Sequence, residues 1–199
     1  MRIKISIAGI TPLLCNRFTD AAAEQSTDGT GPALSTGDRG TPLEIAQAAL
    51  YIGLDGREMI PQPNLLRCIV DGGRFHKIGK TQITTQRGSL LYAAVDVLGA
   101  EIPIEHKQPW RVDTRPVRIP ATGGRILKHR PCFDDWKLSF ECELDTSMIG
   151  EKLFRAIVDD AGKKLGLGDF RPSCKGPFGR WVVTHWAVVE ATRTMPIAA

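Results

Sequence analysis

Residues 165–183 read LGLGDFRPSCKGPFGRWVV, and the punctuation of this stretch decides how the chain divides. Gly166, Gly168, Gly176 and Gly179 are interleaved with Arg171, Lys175 and Arg180. Before them runs an amphipathic helical pattern, after them an apolar strand pattern. Glycine lets a backbone approach another chain with no Cβ in the way. Cations beside exposed amides suit a phosphate backbone. The stretch predicts a helix–loop–strand junction shaped to hold something long, thin and anionic.

Working outward, Ile149, Leu153, Ala156, Ile157 and Ala161 recur at helical spacing and predict a helix over 148–164. The apolar run after Gly179 predicts a closing strand over 181–189. Further back, Trp136, Leu138, Phe140, Cys142 and Leu144 alternate, giving the clearest strand pattern in the chain, over 135–144. At the start, Ile3, Ile5 and Ile7 alternate with Lys4 and Ser6, which predicts a half-buried strand and not the continuous apolar run of a signal peptide. Pro42 opens a short helix through about residue 51. A second helix spans 65–75, with Leu65, Leu66, Ile69 and Val70 on one face. Residues 89–104 fit a short helix or a buried strand, followed by a strand. Val117 to Ile119 and Ile126 to Lys128, around Pro120-Ala121-Thr122-Gly123-Gly124, predict a hairpin or paired arms.

The expected fold is α+β: a ferredoxin-like (RRM-like) βαββαβ core in one domain over 1–199. Long insertions are expected at 15–41 (an acidic mobile loop), 76–88 and 105–130 (a basic arm or thumb). The 199 residues suffice for a core without staples. Five dispersed cysteines with no CxxC pair argue against a disulfide framework and a zinc knuckle. No apolar run is long enough to cross a bilayer, so a cytoplasmic protein with no membrane partner is expected.

Net charge is only +4, but its distribution is polarised. Residues 17–60 hold seven acids (Asp20, Glu24, Asp28, Asp38, Glu44, Asp55, Glu58) against three arginines. Residues 107–130 hold seven cations (Lys107, Arg111, Arg115, Arg118, Arg125, Lys128, Arg130) against Asp113 alone. Lys163, Lys164, Arg171, Lys175 and Arg180 form a second basic set. A solvated surface is the plain explanation of such runs; their association with glycine-bearing turns is what favours an anionic partner.

Three segments carry a family resemblance. Ile60-Pro61-Gln62-Pro63-Asn64-Leu65-Leu66-Arg67 resembles the segment leading into the first helix in the RAMP superfamily of CRISPR-associated proteins, with Pro63 and Asn64 in place of small residues. RPVRIPATGGRILKHRPCFDDWKLSFECEL, residues 115–144, resembles that family's basic strand, arm and following strand. The opening stretch 165–183 resembles its glycine-rich loop, with Asp169-Phe170 where a glycine and an arginine are expected. The match is to a divergent member of the kind carried by a phage or mobile element.

The resemblance implies a non-catalytic backbone subunit that coats single-stranded nucleic acid, RNA in preference to DNA. It also implies assembly with copies of itself in a helical or filamentous ribonucleoprotein, alongside other effector subunits. The nucleic-acid-binding residues expected are Arg17, Arg67, Arg74, Lys107, Arg111, Arg115, Arg118, Arg125, Lys128, Arg130, Gly168, Arg171, Lys175, Gly176, Gly179 and Arg180. Phe170, Phe178 and Trp110 are candidate base stackers, with Phe178 fitting a core role better; Trp136, Phe140, Trp181 and Trp186 fit a core or subunit interface.

Catalytic chemistry has less to stand on. His76, His106, His129 and His185 show no partner pattern. The resemblance implies that an RNA-cleaving member would carry its aspartate on the loop after the first strand, where Asp20, Asp28 and Asp38 lie, but acids in a polar loop are common. No hydrolase, metalloprotease, Walker or dinucleotide motif is present. The sequence assigns no catalytic residue, metal or cofactor. The alternatives are a phage structural or assembly protein without nucleic acid, or a metal-dependent RNA-cleaving subunit.

Overall fold

The structure, a computed structural model, describes residues 1–18, 40–118 and 123–189. It is mixed α and β, built on several small antiparallel sheets. The elements are β1 (Arg2–Gly9), β2 (Leu13–Leu14), α1 (Pro42–Ala48), β3 (Met59–Pro61), α2 (Gln62–Gly72), β4 (Lys77–Ile78) and β5 (Thr81–Gln82). After them come α3 (Leu91–Ala94), β6 (Val95–Val97), β7 (Glu101–Pro103), β8 (Arg111–Arg118), β9 (Arg125–Phe133), β10 (Lys137–Leu144), α4 (Glu151–Asp160) and β11 (Trp181–Val189).

The main sheet has the order β11–β1–β10–β6, every neighbour antiparallel. Alternation dictates its faces. Ile3, Ile5 and Ile7 are fully buried, as are Leu138 and Cys142 opposite them. Burying each such aliphatic side chain contributes about 1.5–3 kcal/mol. Their outward neighbours Arg2, Lys4, Lys137 and Glu143 stay exposed, and Arg2 pairs with Glu143 at 2.9 Å across the strands. Helices α2 and α4 pack against each other. Their Leu65, Ile69, Phe154 and Ile157 join the same core as the inward face of β1 and β10. Trp136, fully buried at the start of β10, donates from Nε1 to the Thr11 carbonyl at 2.9 Å.

A second sheet, β2–β9–β8, projects from this core. The sequence predicts a hairpin of about three residues per arm; the structure has strands of eight and nine, in register from Arg111↔Cys132 to Arg118↔Arg125. Most of β8 is exposed on both faces, so no apolar alternation marks it. Pro116 is tolerated because β8 lies at a sheet edge.

Other boundaries also move. Helix α1 ends at Ala48, three residues early, and Ile52 bridges to Glu58 beyond it. Helix α2 begins at Gln62 and tightens into a short turn, Gly73–Phe75. Residues 89–104 resolve into α3, β6 and β7, and 76–88 contain the small β4–β5 ribbon. Helix α4 starts at Glu151 because the Asp145 carboxylate takes both the amide and hydroxyl of Ser147 and holds a turn before it. Its last turn widens over Ala161–Leu165, where a Cβ on Gly162 would strike Trp181. Most of the acidic insertion, including Asp20, Glu24, Asp28 and Asp38, lies outside the described residues, as do Ile119 to Thr122 of the arm.

Candidate nucleic-acid interface

A cleft of about 330 Å³ opens where β2, β3, α2 and the 165–183 loop meet. Cys15 and Asn16 line it from the exit of β2, with Tyr51 and Ile60 beside them. Helix α2 contributes Asn64, Arg67, Cys68 and Asp71, an i, i+3, i+4, i+7 set that shares a face. The loop contributes Leu165 through Asp169, Arg171 and Ser173.

The glycines of that loop are used inside the protein. A Cβ on Gly176 would collide with the Phe170 carbonyl, and one on Gly179 (φ +69°) with the Leu167 carbonyl. The loop's amides are similarly engaged. Leu167 donates to Gly179, Asp169 to Leu14, Gly176 to Arg171 and Gly179 to Pro12, all at 2.7–3.0 Å. The amide of Arg180 donates to the Thr11 hydroxyl at 2.9 Å. Gly168 presses against the Leu14 carbonyl. The missing side chains of Gly168, Gly176 and Gly179 thus permit internal packing, and the charge near the cleft is carried by side chains.

Those side chains come from three elements. Arg67 Nε meets Asp71 Oδ2 at 3.2 Å and Arg74 meets Asp71 Oδ1 at 2.9 Å. Arg171 donates one N–H to the Gly168 carbonyl at 2.7 Å, and a guanidinium has four more. Behind the loop, Asp169 Oδ2 lies 3.0 Å from Nε of Arg130 and 3.9 Å from Nζ of Lys128, both on β9. The cleft lining itself balances two cations (Arg67, Arg171) against two carboxylates (Asp71, Asp169); Arg74, Lys128 and Arg130 meet those carboxylates from outside the lining. Burial pushes the Lys128 ammonium below its usual value, and Arg130 adds to the effect against the opposing pull of Asp169.

Arg115 sits on the same ribbon face as Lys128, its register partner. It bonds Asp113 at 2.9 Å and stacks over Phe178 at 4.8 Å from the ring centroid. Phe178 is buried with Leu14 and Cys132 and packs on Phe170, centroids 6.0 Å apart; it is a core residue. Trp110 is half-buried against the main core, where Trp136, Phe140 and Trp181 are buried.

Other expected residues lie apart from this group. Arg111, at the base of the ribbon, is held by Asp134 through two hydrogen bonds of 2.6 and 2.8 Å, which hold that carboxyl below its usual value. Arg118 and Arg125 oppose each other at the ribbon's far end. Together with Lys107 and Lys175 they are exposed, with no ion-pair partner among the described residues. Arg180 binds the turn after β1 through its backbone. The amide of Arg17 donates to Ala49 at 2.9 Å.

Burial pushes the thiols of Cys15, Cys68 and Cys132 up to about 12, so they stay neutral, and Cys68 donates to the Gly166 carbonyl at 3.1 Å. His76 pairs with Asp160 and His106 with Glu58. No group of three or more metal-binding side chains occurs among the described residues, and no helix among them is long and apolar enough to cross a membrane. Asp71, Asp169, Asn16 and Tyr51 were not singled out by the sequence as part of a site. Only Asp71 had a local signal, lying four residues after Arg67 and three before Arg74. No protein-family model matches the chain, and no curated protein does either.

Proposed function

We propose that this chain is a non-catalytic subunit that binds single-stranded nucleic acid, RNA in preference to DNA, and lines up with copies of itself along the strand, as the RAMP resemblance implies. The observation that carries this reading is that Arg67 of α2 and Arg171 of the 165–183 loop line one cleft, with Arg74, Lys128 and Arg130 drawing on the two carboxylates beside them. Arginines so placed supply sequence-tolerant attraction to phosphates. The sheet order β11–β1–β10–β6 with α2 and α4 sharing one core supports reading the centre as a ferredoxin-like βαββαβ unit.

Base stacking on the open sheet face, the mode of many RRM domains, has a single ring to draw on among the described strands, His185 of β11, the register partner of Ser6. Outward positions on β1, β6 and β10 are Arg2, Lys4, Ser6, Asp96, Lys137, Ser139, Glu141 and Glu143. Trp186 of β11 turns inward onto Phe154, ring centroids 5.7 Å apart, and donates to Glu151. The cleft and ribbon are the better surface.

The test is binding of a labelled single-stranded oligoribonucleotide over a range of salt. The proposal requires affinity that falls linearly with log salt, with a slope set by the number of phosphates neutralised. Absence of binding at low salt overturns it and favours a protein whose basic ribbon docks on another subunit.

A further inference from the structure

We infer that the cleft between α2 and the 165–183 loop seats one nucleotide of the bound strand and reads its base through the carboxamides of Asn16 and Asn64. The inference rests on the nucleic-acid reading above and adds a base-specific contact to it.

The cleft has the components of a small-ligand site and not of a bare phosphate track. Its volume, about 330 Å³, is in the range that encloses a small organic molecule. Ile60, Leu165 and Leu167 are buried apolar residues along its lining, and Tyr51 is a half-buried ring beside them. A half-buried ring beside aliphatic side chains suits the flat face of a base. Arg67 and Arg171 line the same cleft and supply charge for the attached phosphate.

The polar groups add a second, independent observation. Asn16 and Asn64 come from segments about fifty residues apart, and both line the cleft. Neither carboxamide, nor the Tyr51 hydroxyl, hydrogen-bonds any described residue, whereas Asp71, Asp169 and Arg171 are each engaged. An Asn side chain presents a donor and an acceptor side by side and pairs with a base edge that presents the complement, adenine above all. Two unengaged carboxamides from separate segments of one cleft are therefore placed to read a base edge. Both residues are exposed, so neither is needed for packing.

The experiment compares labelled oligoadenylate with a strand of the same length and phosphate count that carries abasic sites, at fixed salt. It uses the parent chain and the Asn16→Ala/Asn64→Ala double variant. The parent is expected to bind the abasic strand roughly tenfold more weakly, the scale of one stacked base. The double variant should close most of that gap while keeping the parent's salt slope. A Tyr51→Ala variant, checked for folding by circular dichroism, should also narrow it. Equal parent affinity for both strands overturns the inference while leaving phosphate binding intact. A gap undiminished in the double variant also overturns it, by placing base contact elsewhere. Failure of every strand to bind at low salt removes the underlying nucleic-acid reading and this inference with it.

Discussion

Arg130 Nε lies 3.0 Å from Asp169 Oδ2, with only 5% of the arginine side chain exposed. The contact joins the basic ribbon to the glycine-rich loop across thirty-nine residues of chain. It is ionic more than an aligned hydrogen bond, since Arg130 Nε and Nη1 and Asp169 Oδ2 find no well-oriented partner. Lys128, 3.9 Å from the same oxygen, shares the carboxylate.

Asp169→Asn should therefore be destabilising out of proportion to its small change in shape. It leaves a buried guanidinium without the carboxylate 3.0 Å from it, and Asp113 of β8, the register partner of Arg130, is already bonded to Arg115. Removing one member of a fully buried pair costs about 3–5 kcal/mol, and with Asp169 partly open to solvent on the order of 2 kcal/mol is expected here. Urea unfolding measures it; a loss below about 0.5 kcal/mol would show that solvent already screens Arg130.

Two glycine substitutions should separate backbone strain from steric exclusion. Gly56 has φ +79° with open space around it, so Gly56→Ala should cost only the left-handed conformation, about 1 kcal/mol. Gly179 has φ +69° and also the Leu167 carbonyl where a Cβ would stand, so Gly179→Ala should cost more than about 3 kcal/mol. Thermal denaturation of the pair checks the ordering, and similar melting temperatures would contradict the packing of the loop.

The lowered proton affinity of Lys128 gives two pH effects of defined sign. Between its folded value and the usual 10.5, the unfolded chain binds more protons than the folded one. Stability attributable to this group should rise with pH through that window, and Lys128→Met should remove the rise. A bound phosphate favours the charged ammonium, so strand binding in the same window should take up protons. Calorimetry in two buffers of different ionisation enthalpy reads the uptake, and identical heats would exclude Lys128 from the contact.

The cleft arginines and the ribbon-base arginine should differ in their effect on binding. Arg67→Ala and Arg171→Ala should each weaken every oligonucleotide alike and reduce the salt slope by about one. Arg111→Ala should leave the slope unchanged, because Asp134 already holds that guanidinium with two short hydrogen bonds. Equal reductions from all three would place the strand along the ribbon base as well.

Much of the central sheet was legible before any coordinates. Ile3, Ile5 and Ile7, and Leu138, Phe140 and Cys142, alternate because one face of their strands is buried, and that one-sided burial leaves a period of two in the sequence. Helices α2 and α4 announce themselves in the same way. The ribbon β8–β9 does not, because its exposed faces impose no period; only its charges and glycines marked it. The cations of the candidate site could be counted in advance, but not which of them are held by a carboxylate.

Local pattern alone thus determined β1, β10, β11, α2 and α4 and the basic character of the arm and loop, since each is a property of neighbours in the chain, while α3 and β6 stayed open between helix and strand. Tertiary structure decided where the glycines' missing side chains are used, which acids restrain which arginines, and that Asn16 and Asn64 line one cleft. Those outcomes depend on segments such as 12–16 and 168–180 meeting in space, and contacts over such separations leave no periodic trace in a single sequence.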